Sequence, residues 1–413
     1  MKVLIINVVC GILSTGRICT DLAVEMEKQG HTIKIAYGRG NVPEEFQKYA
    51  ICIGNQADVL FHVIKARTQD AMGIGSKRAT KRFIEWIKRY NPDIIHLHNI
   101  HGYYIHIGIL FDYLRSAKKR VIWTLHDCWA FTGHSAYCEE AGCKRWKEGC
   151  YKCPKQKEYP KSYLERSKQN WLYKKRCFTG IEQMEVVVPS QWLANLVKES
   201  FLGKYQIQVI HNGIDTRKFY AIESEFRKKY HIEEKRILLG VASTWSKLKG
   251  YNDFIELSKR LDQDFKIVLV GMDRRKSLPE NIIGIKRTES IKELAGIYSS
   301  ADIFLNLTYV DTYPTVNLEA LACGVPIISY DTGGSAEIVH DFGGIVVKKG
   351  DMEALVECIK KYKTGEITVA LKQNRTEIIN KIDKTVFIRK MINLYQKGTV
   401  KEERDNGGNR VCF

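Results

Sequence analysis

The sequence predicts an α/β protein made of two doubly wound domains that face each other across a cleft. Short apolar runs typical of buried strands alternate with helical patterns of about 10–15 residues, which is the pattern of βαβ units and parallel sheets. A polar stretch with few strand formers, 217–235, separates two such series, and we interpret it as a linker. The length of 413 residues is sufficient for two large domains.

The order of these elements divides the chain into four parts. Residues 1–215 form the first domain, which carries a cysteine-rich insertion at 128–176. Residues 216–384 form the second domain. Residues 385–398 form a helix that follows the completed second sheet, so we expect it to pack back on the first domain. Residues 399–413 are polar and contain glycine, as expected of a frayed tail.

The predicted strands are short and apolar, and helical patterns connect them. In the first domain they are Val3–Val9, Thr32–Tyr37, Asp93–His98, Val121–Leu125, Val186–Val188 and Ile207–Ile210. In the second domain they are Ile237–Val241, Lys266–Val270, Ile303–Leu305, Pro326–Ser329 and Gly344–Val347. Ligands of open α/β sheets bind beyond the carboxyl ends of the strands, so we expect the site in the cleft.

The chain carries a large excess of positive charge. Lys and Arg number 65 against 47 Asp and Glu, which gives a net charge of +18. Half of the excess comes from the stretch 144–176, where twelve Lys and Arg stand against three Glu. Such a stretch suits a nucleic acid, an anionic leaflet or a polyanionic substrate, although a solvated surface has the same composition.

The sequence indicates a cytoplasmic protein. No run of about 18 apolar residues occurs, so no membrane-spanning helix is predicted. The N-terminal run Val3–Val9 lacks an A-x-A cleavage pattern and leads into a glycine-containing turn, so we interpret it as a strand rather than a signal peptide. In that compartment the eight scattered cysteines, of twelve in all, are expected to be thiols.

Four cysteines form a cluster with the spacing C-x4-C-x6-C-x2-C. They are Cys138, Cys143, Cys150 and Cys153. Thiolates at such spacing can close a tetrahedral zinc site, which would be structural because no open coordination position is implied. Reduced thiols and a disulfide remain as alternatives.

The first domain also contains a group of histidines, His96, His98, His101 and His106. His96 and His98 share one face of a strand, and no carboxylate or cysteine accompanies them there. We therefore interpret the group as a polar strand end near the cleft rather than a metal site.

Two turns carry residues suited to a phosphorylated ligand. The first turn, 11–17, joins the first strand to a helix and contains Gly16, and glycines let backbone N–H groups approach a phosphate. It is not G-x-G-x-x-G, so the dinucleotide fingerprint is absent. In the second domain, Lys249 stands between a strand and a helix, which places a cation beside a helix N-terminus.

The segment 311–326 is the most specific candidate site. Its carboxylates, Asp311 on a loop and Glu319 in a helix, are eight residues apart. The loop between them contributes backbone N–H groups, and its residues are Thr312, Tyr313, Pro314, Thr315 and Val316. This set suits a ligand that offers sugar hydroxyls, a phosphate and a ribose together.

Residues 311–326 resemble the E-x7-E signature of retaining GT-B glycosyltransferases of glycosyltransferase family 4, with Asp at the first acidic position. Other matching segments follow in the family's order: Ser14–Ile18, His126–Asp127, Pro189–Leu193, Asn212–Asp215, Lys249–Gly250 and Thr332–Glu337. The resemblance covers about residues 3–395 and implies two Rossmann-like domains. It is closest to bacterial exopolysaccharide and capsule enzymes of the colanic-acid type, which share a cysteine-rich insertion after the His-Asp pair.

The resemblance implies how the donor diphosphate is held. Lys249 would neutralise it, and the loop 312–316 would contact the donor. The family often has an Arg five or six residues before this Lys, where the present chain has Ser243 and Thr244. Lys247 is then the candidate for the second cation.

The resemblance also assigns the remaining site residues. Glu319 would hold the ribose, and Asp311 would contact hydroxyls of the donor sugar. His126 would lie beside the reacting sugar, and the turn that contains Gly16 would face the β-phosphate and the acceptor.

The implied function is transfer of a sugar, with retention, from a nucleotide diphosphate sugar to a glycan or lipid-linked acceptor in exopolysaccharide, capsule or lipopolysaccharide synthesis. No catalytic metal and no nucleic acid are expected, and the basic stretch 144–176 suggests peripheral contact with anionic lipid of the inner membrane. One alternative is a nucleotide-sugar 2-epimerase of the same fold. The other is a zinc-containing nucleic-acid-binding protein, which leaves Asp311 and Glu319 unexplained.

Overall fold

The chain folds into two compact units. The computed structural model describes residues 1–139, 141–273, 277–369, 371 and 374–397, so the predicted tail 399–413 lies outside the described residues. Of the described residues, the first unit comprises those in 1–189, 193–210 and 388–397, and the second comprises those in 190–192 and 211–387. Our sequence-based boundary, after residue 215, lies a few residues beyond this division.

The first unit is built on a seven-stranded parallel sheet. Its strands are β1 Lys2–Asn7, β2 Thr32–Tyr37, β3 Ala50–Cys52, β4 Ile94–Leu97, β5 Arg120–Thr124, β6 Met184–Val188 and β7 Gln206–Val209. The helices of this part of the chain are α1 Leu13–Lys28, α2 Gln56–Gln69, α3 Lys77–Tyr90, α4 Ile107–Ala117, α5 Ser167–Phe178 and α6 Gln191–Lys198. The strand order is β3-β2-β1-β4-β5-β6-β7, so it reverses between β1 and β4.

The second unit repeats this plan with a six-stranded parallel sheet. Its strands are β8 Arg236–Val241, β9 Phe265–Val270, β10 Ile282–Ile285, β11 Ile303–Asn306, β12 Ile327–Tyr330 and β13 Ile345–Val347. The helices that follow α6 are α7 Phe226–Lys229, α8 Tyr251–Arg260, α9 Ile291–Ser299, α10 Thr315–Ala322, α11 Gly333–Phe342, α12 Met352–Thr364, α13 Arg375–Ile382 and α14 Lys384–Gln396. The order β10-β9-β8-β11-β12-β13 reverses between β8 and β11.

The second sheet is buried on both faces, as its apolar strands require. Along β8, Ile237 and Leu239 belong to one core cluster and Leu238 belongs to the other. Strands that are covered on both faces have nearly continuous apolar runs instead of an alternating pattern. This explains why the central strands were recognisable in the sequence.

The segment 217–235 is not a free linker, and this interpretation of the sequence was wrong. Phe219, Phe226 and Ile232 are buried in the core of the second unit, and the segment contains helix α7. Three separated apolar residues produce no clear period along the chain. They nevertheless anchor the segment, because each one removes a large apolar surface from water.

The end of α14 packs within the first unit. Tyr395 is fully buried, and its hydroxyl lies 2.6 Å from Nδ1 of His96 on β4. The Nη1 atom of Arg120 donates to the carbonyl of Tyr395 at 2.8 Å. The Nε2 atom of His96 is 2.7 Å from the hydroxyl of Thr124, so both ring nitrogens have partners. Within the described ranges, no helix has the length and apolar character needed to cross a membrane.

Burial gives His96 a strong preference for the neutral form and lowers its pKa to about 3. We expect the protein to lose stability on acidification, because the unfolded chain accepts a proton at an ordinary histidine pKa of about 6.5 and the folded chain does not. The loss begins as the pH falls below about 6.5 and amounts to about 2 kcal/mol per such histidine by about pH 5.

Melting temperatures between about pH 7.5 and about pH 5.5 check this. The drop on acidification should be smaller for His96→Gln than for the wild type. His231→Asn is the matched control, because His231 is exposed and Asn tolerates its positive φ of 52°. An equal drop for His96→Gln and the wild type would contradict the assignment.

Candidate active site

Lys249 and Asp311 lie together at the edge of the second sheet where the strand order reverses. Lys249 ends the short 3₁₀ turn Lys247–Lys249 after β8, and Asp311 lies in the loop after β11. Because β8 and β11 are parallel neighbours, the loops after them share one edge, which is where open α/β sheets bind ligands. The Nζ atom of Lys249 is 2.7 Å from Oδ2 of Asp311. The structure therefore brings together the cation and the first carboxylate of the predicted donor site.

The loops after β8 and β11 are fixed against each other through the backbone. The N–H of Tyr309 donates to the carbonyl of Leu248 at 2.9 Å, and the hydroxyl of Thr308 donates to the same carbonyl at 3.1 Å. Gly250 follows Lys249 with a φ of 72°, and a Cβ atom there would lie 2.2 Å from the carbonyl oxygen of Leu307. The backbone that carries Lys249 is thus held by a contact that only glycine permits.

The N-terminus of α11 adjoins the loop that carries Asp311. The N–H of Gly334 donates to the carbonyl of Asp311 at 3.1 Å. A Cβ atom at Gly333 would come 2.0 Å from the carbonyl oxygen of Asp311, and one at Gly334 would come 2.0 Å from that of Thr312. The two glycines therefore allow a helix N-terminus, with its positive potential, to approach the loop closely.

A buried polar network that was not predicted from the sequence supports the sheet edge that carries Asp311. The amide of Asn306, the last residue of β11, donates to Oδ1 of Asn317 in α10 at 2.6 Å. The amide of Asn317 donates to the hydroxyl of Ser335 in α11 at 3.0 Å, and Ser335 lies 2.7 Å from the hydroxyl of Ser329. All four residues are buried. The network joins β11, α10, β12 and α11, and the available signal was polar residues inside apolar strands.

Glu319 lies in α10 and is held by a residue that the sequence did not single out. The hydroxyl of Tyr298 in α9 donates to Oε2 of Glu319 at 3.0 Å. Burial, followed by the neighbouring Glu319, raises the pKa of Tyr298 well above its usual range, so the phenol keeps its proton. The carboxylate is therefore oriented by a permanent donor.

The rest of the predicted donor loop divides into buried and partly exposed residues. Thr312, Tyr313 and Pro314 are buried, whereas Thr315 and Val316, which begin α10, are partly exposed. The ring of Tyr313 stacks on His211, with centroids 4.8 Å apart and an interplanar angle of 15°. The loop is thus packed into the unit rather than extended into solvent.

Glu337 in α11 also contributes to this region and was not among the predicted site residues. Its carboxylate accepts hydrogen bonds from the N–H groups of Gln191, at 2.9 Å, and Trp192, at 3.2 Å. It lies 3.9 Å from Nδ1 of His211. Lys247, the predicted second cation, is exposed on the turn before Lys249.

In the first unit, His126 and Asp127 follow β5. The Nε2 atom of His126 is 2.9 Å from Nδ1 of His98, and the two rings are stacked. Burial lowers the pKa of His126 to about 4, so the ring is neutral near pH 7. Burial acts to raise the pKa of Asp127, but an ion pair with His101 at 2.8 Å and the N–H of Trp129 outweigh it and lower the pKa.

The predicted polar strand end is therefore a set of histidines packed around His126. His98 contacts His126 directly, and the ring of His96 lies against the ring of His98. His101 contacts the carboxylate of Asp127. His106 instead caps the N-terminus of α4, where its Nδ1 accepts the N–H of Ile109 at 3.3 Å. His98 is the residue that the sequence did not identify as a partner of His126.

Gly16 lies in the first unit, inside a helix rather than in a turn. Helix α1 begins at Leu13, so the predicted turn 11–17 overlaps its first residues. Gly11, which precedes the helix, has a left-handed φ of 73°. Its N–H donates to the carbonyl of Gly16 at 3.2 Å. A Cβ atom at Gly16 would lie 3.1 Å from Val9, so this glycine also permits close packing.

The cysteine cluster and the basic stretch belong to the insertion of the first unit. Cys138, Cys143, Cys150 and Cys153 all line one small cavity. As the side chains stand, no group of three or more His, Cys, Asp or Glu among the described residues is arranged to hold a metal ion.

Two of the basic residues in 144–176 are buried, Lys155 and Lys174. Lys174 donates to the carbonyls of Trp129, at 2.7 Å, and Thr132, at 3.1 Å, and burial lowers its pKa to about 7. The basic surface is therefore smaller than the composition suggests.

Two family models match the chain. The model described as Glycosyltransferase Family 4 matches residues 15–218, and the model described as Glycosyl transferases group 1 matches residues 222–383. The chain belongs to glycosyltransferase family 4. The first match covers the unit that holds His126, and the second covers the unit that holds Lys249, Asp311 and Glu319.

Two relatives and one solved structure illustrate the similarity. The putative colanic acid glycosyl transferase WcaC of Escherichia coli is 26% identical over 277 residues, which are 65% of this chain and 67% of that protein. An N-acetylgalactosaminyltransferase of Campylobacter jejuni, named for the acceptor N,N'-diacetylbacillosaminyl-diphospho-undecaprenol, is 28% identical over 219 residues, which are 49% of this chain and 58% of that protein. The structure of Anabaena Alr3699/HepE in complex with UDP-glucose has a TM-score of 0.66 at 12% identity and covers 96% of this chain and all of that one.

These matches show a GT-B fold of two Rossmann-like domains and a glycosyltransferase activity. They support sugar transfer over the 2-epimerase and the nucleic-acid-binding protein that the sequence left as alternatives.

We expect Gly250→Ala to destabilise the second unit more than Gly365→Ala does. Both glycines have left-handed φ angles, 72° and 77°, so both substitutions incur about 1–2 kcal/mol of backbone strain. Only at Gly250 does the added methyl group meet a carbonyl oxygen, whereas nothing lies within 4 Å at Gly365. A further loss of about 1–3 kcal/mol is expected, typical of overpacking. Urea unfolding of the two variants measures the difference, and equal losses would show that the contact with Leu307 is relieved without cost.

Proposed function

We propose that this glycosyltransferase transfers a hexose-type sugar, with retention, from a nucleoside diphosphate sugar to a glycan or lipid-linked acceptor in the synthesis of a bacterial surface polysaccharide. The observation that carries the proposal is the ion pair of Lys249 and Asp311 at the switch point of the second sheet, with Glu319 on helix α10, which follows the loop of Asp311. The cation suits the negative charge of a diphosphate. The two carboxylates suit the hydroxyl groups of a sugar and of a ribose. The names of the WcaC and Campylobacter relatives support the acceptor class.

The ion pair between Lys249 and Asp311 acts as a placeholder for the donor. Their side chains are 41% and 20% exposed, so the pair is worth about 1 kcal/mol or less. A diphosphate carries more charge than one carboxylate, and it therefore displaces Asp311 from Lys249. The carboxylate that is released becomes available to hydroxyls of the donor sugar in the same step.

Lys249 and the N-terminus of α11 then stabilise the departing diphosphate. The bond between the anomeric carbon and the β-phosphate oxygen breaks as the acceptor oxygen bonds to that carbon, and negative charge develops on the departing oxygen. Preorganised cations and helix N-termini stabilise such charge without reorganisation. These groups come from the protein itself, so the proposed step needs no metal.

The neutral state of His126 supports retention. A general base works best with a pKa near the operating pH, and the His126 pKa of about 4 makes it a weak one. The departing diphosphate oxygen is then the group that accepts the acceptor's proton, which requires attack on the face that the leaving group departs from. The family resemblance implies a hydrogen-bonding role for His126 instead.

The decisive experiment incubates the purified enzyme with a panel of nucleotide sugars, with and without a lipid extract from bacterial cells. Acceptor-dependent transfer supports the proposal, and NMR of the product reports the anomeric configuration. Release of an epimerised sugar nucleotide without acceptor would favour a 2-epimerase. An inverted linkage would refute the role given to the diphosphate oxygen.

We expect Lys249→Ala and Glu319→Ala to affect different kinetic constants. Lys249→Ala should lower kcat by about 10²–10³-fold, as loss of one preorganised donor does. Glu319→Ala should act mainly on KM, because the ribose does not react. Lys259→Ala, at an exposed position on α8, is the matched control and should leave both constants unchanged.

Asp311→Asn should nearly abolish transfer without weakening nucleoside diphosphate binding, because the substitution removes the anion that competes for Lys249. Calorimetric titration with UDP, GDP and ADP measures the affinity. Wild-type transfer rates in both Asp311→Asn and Lys249→Ala would place the site elsewhere.

The first unit also has a surface suited to anionic lipid. Leu60, Phe61 and Ile64 on α2 are 59%, 70% and 49% exposed. The exposed Tyr163 of the basic stretch lies at the end of this helix, where its N–H donates to the carbonyl of Arg67 at 2.7 Å. Apolar side chains next to basic ones are typical of surfaces that insert among lipid headgroups.

We expect the enzyme to co-sediment with vesicles that contain anionic lipid, and binding should fall as salt rises. Each Lys or Arg near the surface contributes about 1 kcal/mol at low salt. Phe61→Ser and Lys161→Glu should both weaken binding, whereas Ile291→Ser, an exposed apolar position in the second unit, should not. Vesicle binding that changes neither with salt concentration nor with anionic lipid content would contradict this proposal. It would not affect the proposal of sugar transfer.

A further inference from the structure

The insertion of the first unit encloses a cavity with an unusual lining. Besides the four clustered cysteines, His134 lines it. Its water-accessible volume is about 20 Å³, which is room for about one water-sized particle. A thiol-rich and imidazole-bearing space of this size suits a single soft metal ion better than an organic ligand.

His134 indicates a bound ligand, because one of its ring nitrogens has no hydrogen-bond partner among the described residues. The side chain is 1% exposed, and its Nδ1 lies 2.6 Å from Oδ1 of Asp70. Its Nε2 is buried and has no hydrogen-bond partner. A buried polar atom without a partner costs about 1–3 kcal/mol, so an unpartnered nitrogen on a residue that lines a cavity indicates that something binds there.

Asp70 is built to hold the histidine ring in place. It caps the C-terminus of α2 at a left-handed φ of 52°. Its Oδ2 accepts the N–H of Arg166 at 3.0 Å, and its carbonyl accepts the amide of Asn170 at 2.6 Å. A carboxylate that orients the remote nitrogen of a histidine is the usual second-sphere partner of a metal-bound imidazole.

The cysteines divide into one that is paired and three that are grouped. The thiol of Cys138 shares a hydrogen bond with that of Cys128. Cys143, Cys150 and Cys153 line the cavity together. The sulfur of Cys150 also accepts the N–H of Gly133 at 3.1 Å, next to His134 in the chain. The sulfur atoms of Cys143, Cys150 and Cys153 and the Nε2 atom of His134 therefore form no hydrogen bond to another described side chain, and they remain available to bind a metal ion.

We propose that Cys143, Cys150, Cys153 and Nε2 of His134 bind one structural zinc ion, with Asp70 orienting the histidine. The sequence alone suggested Cys138 as the fourth ligand, and the structure favours His134 in its place. The donors line one cavity without yet being arranged for coordination, so binding requires the thiol side chains to rotate inward. Arg145 and Lys155, which also line the cavity, offset the negative charge of three thiolates on one zinc ion.

Elemental analysis of the full-length protein, purified under reducing conditions without added metal, tests the proposal first. About one zinc per chain is expected after dialysis. X-ray absorption at the zinc edge should show three sulfur neighbours at about 2.3 Å and one nitrogen at about 2.0–2.1 Å. Absence of zinc, a disulfide found by thiol titration, or a shell of four sulfurs would each overturn the assignment without any variant being made.

Variants then decide the ligand set. Cys150→Ser and His134→Gln should lose zinc, whereas Cys138→Ser should keep it. His134→Cys should retain zinc with four sulfur neighbours, which a purely structural role of the imidazole would not produce. Cys358→Ser, in α12 of the second unit, is the control and should keep a full complement.

Asp70→Asn should weaken zinc affinity by about 10–100-fold, measured by competition with a chromophoric chelator. Circular dichroism confirms that each variant is folded. Loss of zinc in Cys138→Ser together with full retention in His134→Gln would overturn the proposal in favour of a four-cysteine site.

Discussion

The reversal of strand order between β8 and β11 is the constraint on which the donor site depends. It leaves the carboxyl ends of two adjacent parallel strands without a helix that crosses between them, so the loops after them meet. The contact between these loops is close enough to exclude a side chain at Gly250, and the N-terminus of α11 approaches the loop of Asp311 closely enough to exclude one at Gly333 and Gly334. Below it, the amides of Asn306 and Asn317 and the hydroxyl of Ser335 satisfy one another away from water. A buried network of this kind is costly when incomplete, and it therefore holds one arrangement of the loops.

This rigidity gives meaning to the charges at the edge. Lys249 and Asp311 neutralise each other on a fixed backbone, so neither charge is uncompensated in the free protein. In the proposed mechanism a diphosphate takes the place of Asp311, and little free energy is lost because the pair is partly exposed. Glu319 differs, since Tyr298 donates to it permanently and fixes its orientation. In the proposed site, the replaceable carboxylate Asp311 contacts the reacting sugar, and the fixed carboxylate Glu319 contacts the unreactive ribose.

Much of this was predictable from the sequence because it is local. The central strands are continuous apolar runs, and Lys249, Asp311 and Glu319 stand in short segments with characteristic spacing. Short elements were missed: β3, Ala50–Cys52, has three residues, and β10, Ile282–Ile285, contains a glycine. No sequence spacing connects Asn306 with Ser335, or Asp70 with His134, because those pairs form only when distant segments are brought together by the fold. The polar segment 217–235 was interpreted as a linker for the same reason. The three apolar residues that anchor it are separated in the sequence, and they come together with the core only in the fold.

In the first unit, burial determines the chemistry more than residue type does. The rings of His96, His98 and His126 contact one another in succession from β4 toward the loop after β5, the first pair tilted and the second stacked. Burial lowers the pKa of each. Neutral rings in contact avoid the repulsion that adjacent imidazolium ions would suffer. The same packing that anchors Tyr395 of α14 to His96 therefore reaches His126 through ring contacts, and it keeps that residue a hydrogen-bonding group instead of a base. In the proposed reaction, the proton acceptor arrives with the donor as the departing diphosphate oxygen.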